Sequence, residues 1–461
     1  MKRVHFIGIG GIGMSGIAEI LVRSGYQVSG SDLRQNTETA KLKGLGARIY
    51  KGHQSSQVGD AEMVVFSSAV SSDNPEMMEA KRLGLPVLAR SEMLAELMRK
   101  KRSIVVAGAH GKTTTSAMIT TLLLEAGFDP TAVIGGRLRR IAGNAKMGTD
   151  EWFVAESDES DGSFLHLLPM VAVITNVDRE HLDHYGSFEN LEQAFVDFGN
   201  RVPFDGVVIL CRDDAPLAKA IPKIDRPVVT YGMESEADVT AKNVRCSAGR
   251  SNFTVVWKGE TVCDLLIPVT GKHNVLNALA AAAVGHHLGL SWGDVSKGLA
   301  AFTGIDRRLE TKGECGGIRV IDDYAHHPTE IRASLEALRL MAAGGAVRVL
   351  FQPHRYTRVR DLWKEFVAVF DLADEVVVAP IYAASERPIS GVESERLVKE
   401  IVQRRKTSVR YARSLEEGSD YLSENVKKGD LLVTMGAGDV TKMAGALLEK
   451  LQRATPKGTG R

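Results

Sequence analysis

The segment Gly108-Ala109-His110-Gly111-Lys112-Thr113-Thr114-Thr115 joins a short apolar run, Ile104–Ala107, to a helical pattern, Ser116–Ala126. Glycines, a lysine and hydroxyls between a strand and a helix are what a triphosphate requires. Backbone amides cradle the phosphates, Lys112 reaches the β and γ oxygens, and the Thr113 hydroxyl can bind Mg²⁺. The spacing departs from the full phosphate-loop pattern because Val106 stands where its first glycine belongs, so the loop is a shortened variant.

A second glycine-rich turn lies near the start. Gly8, Gly10, Gly11 and Gly13 follow the apolar run Val4–Ile9, a helical pattern covers Met14–Ser24, and the strand Gln27–Ser31 ends at Asp32. This is the dinucleotide fingerprint in its proper context: the glycines admit a diphosphate, the helix N-terminus attracts it, and Asp32 stands where a carboxylate meets a ribose or similar hydroxyl. NAD is the usual occupant, but any nucleoside diphosphate carries the same charge. Two phosphate-binding turns in one chain do not fit a simple dehydrogenase; they fit a protein that brings a nucleotide-bearing substrate to a nucleoside triphosphate.

Carboxylates follow the apolar run Trp152–Ala155: Glu156, Asp158, Glu159 and Asp161. Polar groups just past a strand's C-terminal end face the crevice of an α/β sheet. Mg²⁺ takes oxygen ligands, and Glu156 is the best placed of these. Asp158 and Asp161 read as a solvated acidic loop. The run Val171–Thr175 leads into Asn176, Asp178, Glu180, His181 and Asp183; by composition alone His181 is an ordinary loop histidine.

These groups must be held by a scaffold. Val4–Ile9, Met63–Ser67, Ile104–Ala107, Trp152–Ala155, Val171–Thr175, Val207–Leu210, Val347–Phe351, Glu375–Ala379 and Leu431–Thr434 are continuous apolar runs of the kind that form buried parallel strands. Alternating with helical patterns, they predict an α/β fold with a parallel sheet, laid out in three blocks, of which the first two each open with a glycine-rich turn. The expected bounds are 1–100, 101–307 and 308–461. Arg99–Arg102 reads as a charged linker, Thr303-Gly304 as the second junction, and hinges are expected near Lys100 and at that junction. The Gly/Pro/Lys-rich tail Ala454–Arg461 reads as disordered.

The bulk properties exclude several classes. In 461 residues, 58 basic and 57 acidic side chains leave a formal net charge of +1, so no bulk positive field is available for nucleic acid. The four cysteines, Cys211, Cys246, Cys263 and Cys315, form no C-x-x-C pair, which argues for reduced thiols. No run approaches the roughly 18–20 apolar residues of a membrane span. Met1, Lys2 and Arg3 precede a glycine-broken apolar stretch that suits a buried strand better than a signal peptide, and a cytoplasmic protein with no membrane insertion is expected.

Taken together, Gly108–Thr115, Glu156–Asp161, Thr175–Asp183 and Gly271-Lys272-His273-Asn274-Val275-Leu276-Asn277 resemble the Mur ligases of peptidoglycan synthesis, over essentially the whole chain. Within that family, Gly8–Gly16, Asp322–Glu330 and Gln352–Arg358 are similar to the branch that adds L-alanine. The resemblance implies an α/β fold of three domains: a Rossmann-like N-terminal domain, a central phosphate-loop domain with a parallel sheet, and a C-terminal Rossmann-like domain. It implies a UDP-sugar, UDP-N-acetylmuramate, at the first turn, met by Gly10, Gly11, Gly13, Met14, Ser15, Asp32, Ser67, Ser68 and Ala69. It implies ATP at Gly108, Ala109, His110, Gly111, Lys112, Thr113 and Thr114, with Asn274 and Asn277 beside the adenine and Arg307 at the phosphates. Asp323 and Tyr324 would lie by the ribose and reaction centre. Mg²⁺ would be held through Thr113 and Glu156, with a second cation near His181. L-alanine would be surrounded by His326, His354, Arg355 and Arg358. Several relatives hold the second metal with a carbamylated lysine; the corresponding segment here, about Glu189–Asn200, contains no lysine, so that feature does not carry over. A monomer or homodimer is expected.

Amide formation from a carboxylate is uphill in water, so the acid must be activated. Transfer of the γ-phosphoryl of ATP to it gives an acyl phosphate, which the amine then attacks. Lys112, Mg²⁺ and Arg307 suit the neutralisation of spreading charge. The amine must be neutral, and His181, His326 and His354 are all candidates to accept its proton. Arg355 or Arg358 can clasp a carboxylate with a bidentate fork. The nearest rival is the recycling ligase of the same family, which attaches a peptide to the same sugar. An NAD(P) oxidoreductase and an ATP-gated binding module are more distant, because the former leaves the phosphate loop unexplained.

Overall fold

The computed structural model describes residues 2–404 and 407–454; most of the tail expected to be disordered lies outside the described residues. The chain forms two compact units, one of residues 1–244, 252–268 and 274–303, the other of 245–251, 269–273 and 304–461. One division thus falls between Thr303 and Gly304, where Gly304 takes a left-handed φ of +83°.

The first unit carries two sheets. The N-terminal sheet has five parallel strands with Arg3–Ile7 at its centre, flanked by Gln27–Asp32 and Met63–Phe66, and with Arg48–Lys51 and Val87–Ala89 at the edges. The second sheet has ten strands. At its heart Arg102–Ala107 lies between Val171–Ile174 and Trp152–Glu156, all parallel. Their side chains are almost wholly buried because helices cover both faces, which is why these strands read as unbroken Val/Ile/Ala. One edge ends in an antiparallel hairpin, Thr131–Leu138 with Gly143–Lys146, and the other in Val239–Ser247, Arg250–Trp257 and Glu260–Ile267. Apolar continuity could not reveal the last three, since they are half-exposed.

The second unit is built on six strands. Ile318–Asp323, Leu431–Met435, Val347–Phe351, Glu375–Val378 and Ser408–Tyr411 run parallel, with Glu310–Cys315 antiparallel at one edge. Its core on one face gathers Ile321, Leu335, Phe351, Phe366, Phe370 and Val433.

Some bounds differ from the sequence reading. The helix after the phosphate loop starts at Lys112, not Ser116. Gly111, left-handed at φ +82°, turns the chain directly into the helix, and three threonines continue it despite their β-branching. Likewise the first helix starts at Ile12. The charged stretch Arg99–Arg102 is not simply a solvated linker. Arg102 opens a strand and lies 4.6 Å over the Trp152 ring, and Lys101 Nζ donates to the carbonyl oxygens of Gly148 and Asp150.

Candidate functional site

The phosphate loop is fixed by the segment that follows the neighbouring strand. Ala109 N donates to Asn176 O (3.0 Å) and His110 N to Asn176 Oδ1 (2.8 Å). In return, Asn176 Nδ2 and Thr175 Oγ1 donate to His110 O at 3.0 and 2.6 Å. A Cβ on Gly108 would stand 2.2 Å from Thr175 Oγ1, so only glycine fits there. Asn277 and Asn274 come from the helix Lys272–His287; Asn277 Oδ1 accepts from Thr115 Oγ1 at 3.1 Å, and Asn277 Nδ2 lies 3.4 Å from Asn274 Oδ1. Both asparagines therefore border the loop.

Lys112 is buried among acids. Its Nζ donates to Glu159 Oε2 at 2.8 Å and to Ala109 O at 3.1 Å, with Gly108 O a third partner. Burial pulls its pKa down, but the charges of Glu159, Asp158 and Glu156 outweigh that and hold it above the ordinary lysine value. The ammonium is thus kept charged where phosphates would arrive. Glu156 ends the strand Trp152–Glu156; its Oε1 occupies space that a Cβ on Gly135 would invade at 1.6 Å, and Ser116 Oγ approaches its Oε2 at 3.5 Å.

The loop after Glu156 is a correction to the sequence reading. Asp158 is not a solvated acidic residue: it and Glu159 turn inward, and only Asp161 remains exposed. Asp158, Glu159 and His181 bring one ligand atom each within 4.8 Å of one another. Glu159 Oε1 is buried with no hydrogen-bond partner. A buried, orphaned carboxylate oxygen beside a second carboxylate fits a hard divalent cation. His181 is held at φ +56°, a left-handed conformation uncommon outside glycine. Burial pushes the Asp158 carboxyl up, but Lys112, Arg90 and His181 prevail and keep it below its ordinary value.

The first glycine turn is held from two sides. Gly8 N and Ile9 N donate to Ser31 O at 2.9 and 3.0 Å. Asp32 Oδ2 accepts from Gly10 N at 2.9 Å, so at least one oxygen of this carboxylate braces the turn. Ser67 N donates to Ile7 O, and Ala69 N lies 3.4 Å from Ser67 Oγ. Met14 and Ser15 are buried. Ser15 Oγ and Ile12 O both receive Asn144 Nδ2, from the edge hairpin of the second sheet. Arg90, which the sequence reading missed, borders the first turn, where its Nη1 lies 3.1 Å from where a Cβ on Gly13 would stand, and its charge acts on Asp158 in the loop after Glu156.

In the second unit, Arg307 and Arg308 stack on the Tyr324 ring at 4.7 and 5.1 Å, and Arg307 Nη2 donates to Gly436 O at 2.7 Å. Asp323 is buried; it accepts from Leu309 N, Ala325 N and Ser334 Oγ, and burial pushes its pKa up to about 6. These bonds anchor the segment around Arg307, itself at φ +63°. The His326 and His354 rings are 5.6 Å apart, and His354 stacks on Tyr382 at 5.5 Å. His326 Nδ1 lies 3.0 Å from Tyr324 O, which only accepts, so this nitrogen carries the proton and Nε2 is the basic one. His354 is the reverse: Arg358 Nη1 donates to its Nδ1 at 3.2 Å, leaving the proton on Nε2. Burial, His326 and the neighbouring arginines lower the His354 pKa to about 3. Arg355, at φ +69°, donates its backbone N–H to Tyr382 O at 2.9 Å and lies 3.8 Å from Glu386. Tyr382 and Glu386 were missed, although they follow the strand Glu375–Val378 as other site residues follow theirs.

Three family models match successive parts of the chain: the Mur ligase family catalytic domain at residues 3–102, the Mur ligase middle domain at 106–285, and the Mur ligase glutamate ligase domain at 307–438. The UDP-N-acetylmuramate–L-alanine ligase of Desulfosudis oleivorans is 48% identical over 98% of each chain. That of Syntrophotalea carbinolica is 49% identical, over 98% of this chain and 99% of its own. The chain belongs to the Mur ligase family.

Among solved structures, the UDP-N-acetylmuramate–alanine ligase of Thermotoga maritima superposes with a TM-score of 0.85 at 30% identity, covering 99% of this chain and 100% of that one. The murein peptide ligase of Psychrobacter arcticus, 24% identical with a TM-score of 0.74 over 98% and 99%, shares the fold. In this Mur ligase the helix Phe188–Asn200 has no lysine, so a carbamylated lysine cannot form there. Cys211, Cys246 and Cys263 are free thiols. No helix among the described residues is long and apolar enough to cross a membrane.

Proposed function

We propose that this Mur ligase joins L-alanine to the carboxylate of UDP-N-acetylmuramate, with ATP converted to ADP and phosphate through an acyl phosphate. The observation that carries the reading is the burial of Lys112 among Glu159, Asp158 and Glu156 in a phosphate loop whose acidic neighbour, Asp158, feels the same Arg90 that borders the first glycine turn. The relatives that are 47–49% identical over nearly the whole chain bear the name of that alanine ligase, which favours it over the peptide-recycling reaction.

In this reading, residues 1–100 hold the UDP-sugar, 101–307 ATP, and 308–461 the amino acid. Lys112 draws the β and γ oxygens of ATP and disperses charge as the phosphoryl group moves to the sugar's carboxylate. Thr113, Glu156, Asp158, Glu159 and His181 are the groups that would hold Mg²⁺, which supplies charge neutralisation at the phosphates. Arg307 adds positive charge for the leaving β-phosphate. His326 Nε2 accepts the proton of the alanine amine, His354 Nε2–H donates a hydrogen bond, and Arg355 and Arg358 bind the alanine carboxylate. The amine attacks the acyl carbon, the C–N bond forms, and the C–O bond to phosphate breaks.

Phosphate release measured against a panel of UDP-sugars and acceptors tests this. Release requiring UDP-N-acetylmuramate and L-alanine together supports it. Release with a tripeptide but not with alanine would assign the recycling reaction instead.

A further inference from the structure

Beneath the first glycine turn lies a polar cluster for which the ligase chemistry has no use. Glu76 and His5 are both fully buried. Ile7, on the strand of His5, and Met77 and Ala80, on the helix of Glu76, belong to one apolar cluster with Val58 and Val64. An ionised carboxylate there is costly unless every lone pair is taken.

In this site each is taken. His5 Nε2 donates to Glu76 Oε1 at 3.1 Å, while His5 Nδ1 pairs with Ser29 Oγ at 2.8 Å. Gln57, its amide oriented to donate, reaches the same Oε1 at 2.8 Å and Gly52 O at 3.0 Å. On the other oxygen, Ser31 Oγ donates to Oε2 at 2.5 Å and His53 Nδ1 at 2.8 Å. Four donors fill the four acceptor positions that a carboxylate has and a carboxamide lacks. Glu76 also lies in the first turn of the helix Pro75–Arg82, whose N-terminal dipole favours an anion. Burial pushes its pKa up, but the His5, Ser31 and His53 hydrogen bonds prevail and lower it.

The donors come from separate segments: the first strand, the end of the second, and the loop after the third. Ser31 is the decisive one. Its side chain is held by Glu76, and its carbonyl receives Gly8 N and Ile9 N as the chain enters the turn. The next residue, Asp32, takes Gly10 N. The chain of contacts from Glu76 through Ser31 thus ends on the backbone of the turn itself.

We propose that Glu76 is a positioning residue for the nucleoside-diphosphate site: through Ser31 it sets the glycine turn whose amides receive the diphosphate. This rests on the reading that the first turn binds UDP-N-acetylmuramate. Isothermal titration of the full chain with that ligand, together with steady-state kinetics, tests it. Glu76→Gln is expected to weaken binding about tenfold and to raise the KM for the UDP-sugar alike, with kcat and the KM for ATP and alanine little changed. Ser31→Ala removes one of the four donors to Glu76, and with it the side-chain link to the turn, while the carboxylate itself stays; it is expected to shift the same two quantities by a smaller factor, and it decides the matter if Glu76→Gln does not fold. A lower melting temperature with unchanged UDP-sugar affinity in either folded variant would overturn the proposal and leave Glu76 a structural residue. Failure of the wild-type chain to bind UDP-N-acetylmuramate would instead overturn the reading of the turn.

Discussion

Lys112 Nζ and Glu159 Oε2 stand 2.8 Å apart, with the Glu159 side chain buried and that of Lys112 mostly so. A buried pair of this kind stabilises little by itself, because desolvation of the two charges offsets their attraction. Its consequence is positional: the ammonium is stored charged within the loop, ready to exchange a carboxylate for phosphate oxygens. Lys112→Ala is therefore expected to lower phosphate release about a thousandfold or more. UDP-sugar affinity, read by titration, should be unchanged; its loss would contradict the separation of the two sites.

Glu159 has a second oxygen without a partner, beside Asp158 and His181. A chelator is expected to abolish phosphate release, and added Mg²⁺ to restore it. Glu159→Gln should raise the Mg²⁺ concentration for half-maximal rate by about tenfold or more. An unaltered Mg²⁺ dependence would leave Glu159 as a partner of Lys112 alone.

The arrangement of fold and site was only partly legible in the sequence. The parallel strands stood out because their side chains are buried on both faces, and Lys112 stood out because glycines and threonines frame it between a strand and a helix. Glu159 was not, since nothing in an acidic run tells which carboxylate turns inward; the Lys112 contact decides that. Arg90 was hidden because a lone arginine opening a helix reads as surface charge, and only its approach to Gly13 reveals it. Glu76 was hidden because its partners come from three separate segments. The edge hairpin that grips Ser15 through Asn144 is half-polar and glycine-rich, and it carries no strong period.

His326 and His354 have opposite tautomers, which separates their roles. His326→Gln is expected to reduce kcat about a hundredfold or more at neutral pH, with the KM for ATP unchanged. His354→Gln, which keeps a donor, should act mainly on the KM for alanine. Equal kcat losses in both would remove the distinction.

Arg358 donates to His354 and follows the same strand. Arg358→Ala is expected to raise the KM for alanine about tenfold or more, with a smaller change in kcat. An unchanged KM would take Arg358 out of carboxylate binding.

Stability should also depend on pH in the second unit. Burial, the first cause for each, lowers His273 to about 4 and His354 to about 3, from an ordinary 6.5. Folded pKa values below unfolded ones mean that both favour the fold above about 6.5, and that this contribution falls away as pH drops toward 4. Asp323, raised from 3.8 to about 6, acts oppositely: its contribution is full below about 3.8 and lost as pH rises through 6. Melting temperature followed from pH 7 to pH 4 should fall less steeply in His354→Gln than in the wild type. Parallel curves would mean that His354 titrates alike in both states.

The most direct measurement follows a heavy-oxygen label placed in the carboxylate of UDP-N-acetylmuramate. With ATP, Mg²⁺ and L-alanine present, one labelled oxygen should appear in the phosphate released for each amide formed, because the acyl phosphate loses that oxygen when the amine attacks. Amide formation accompanied by unlabelled phosphate would contradict phosphoryl transfer to the sugar's acid group.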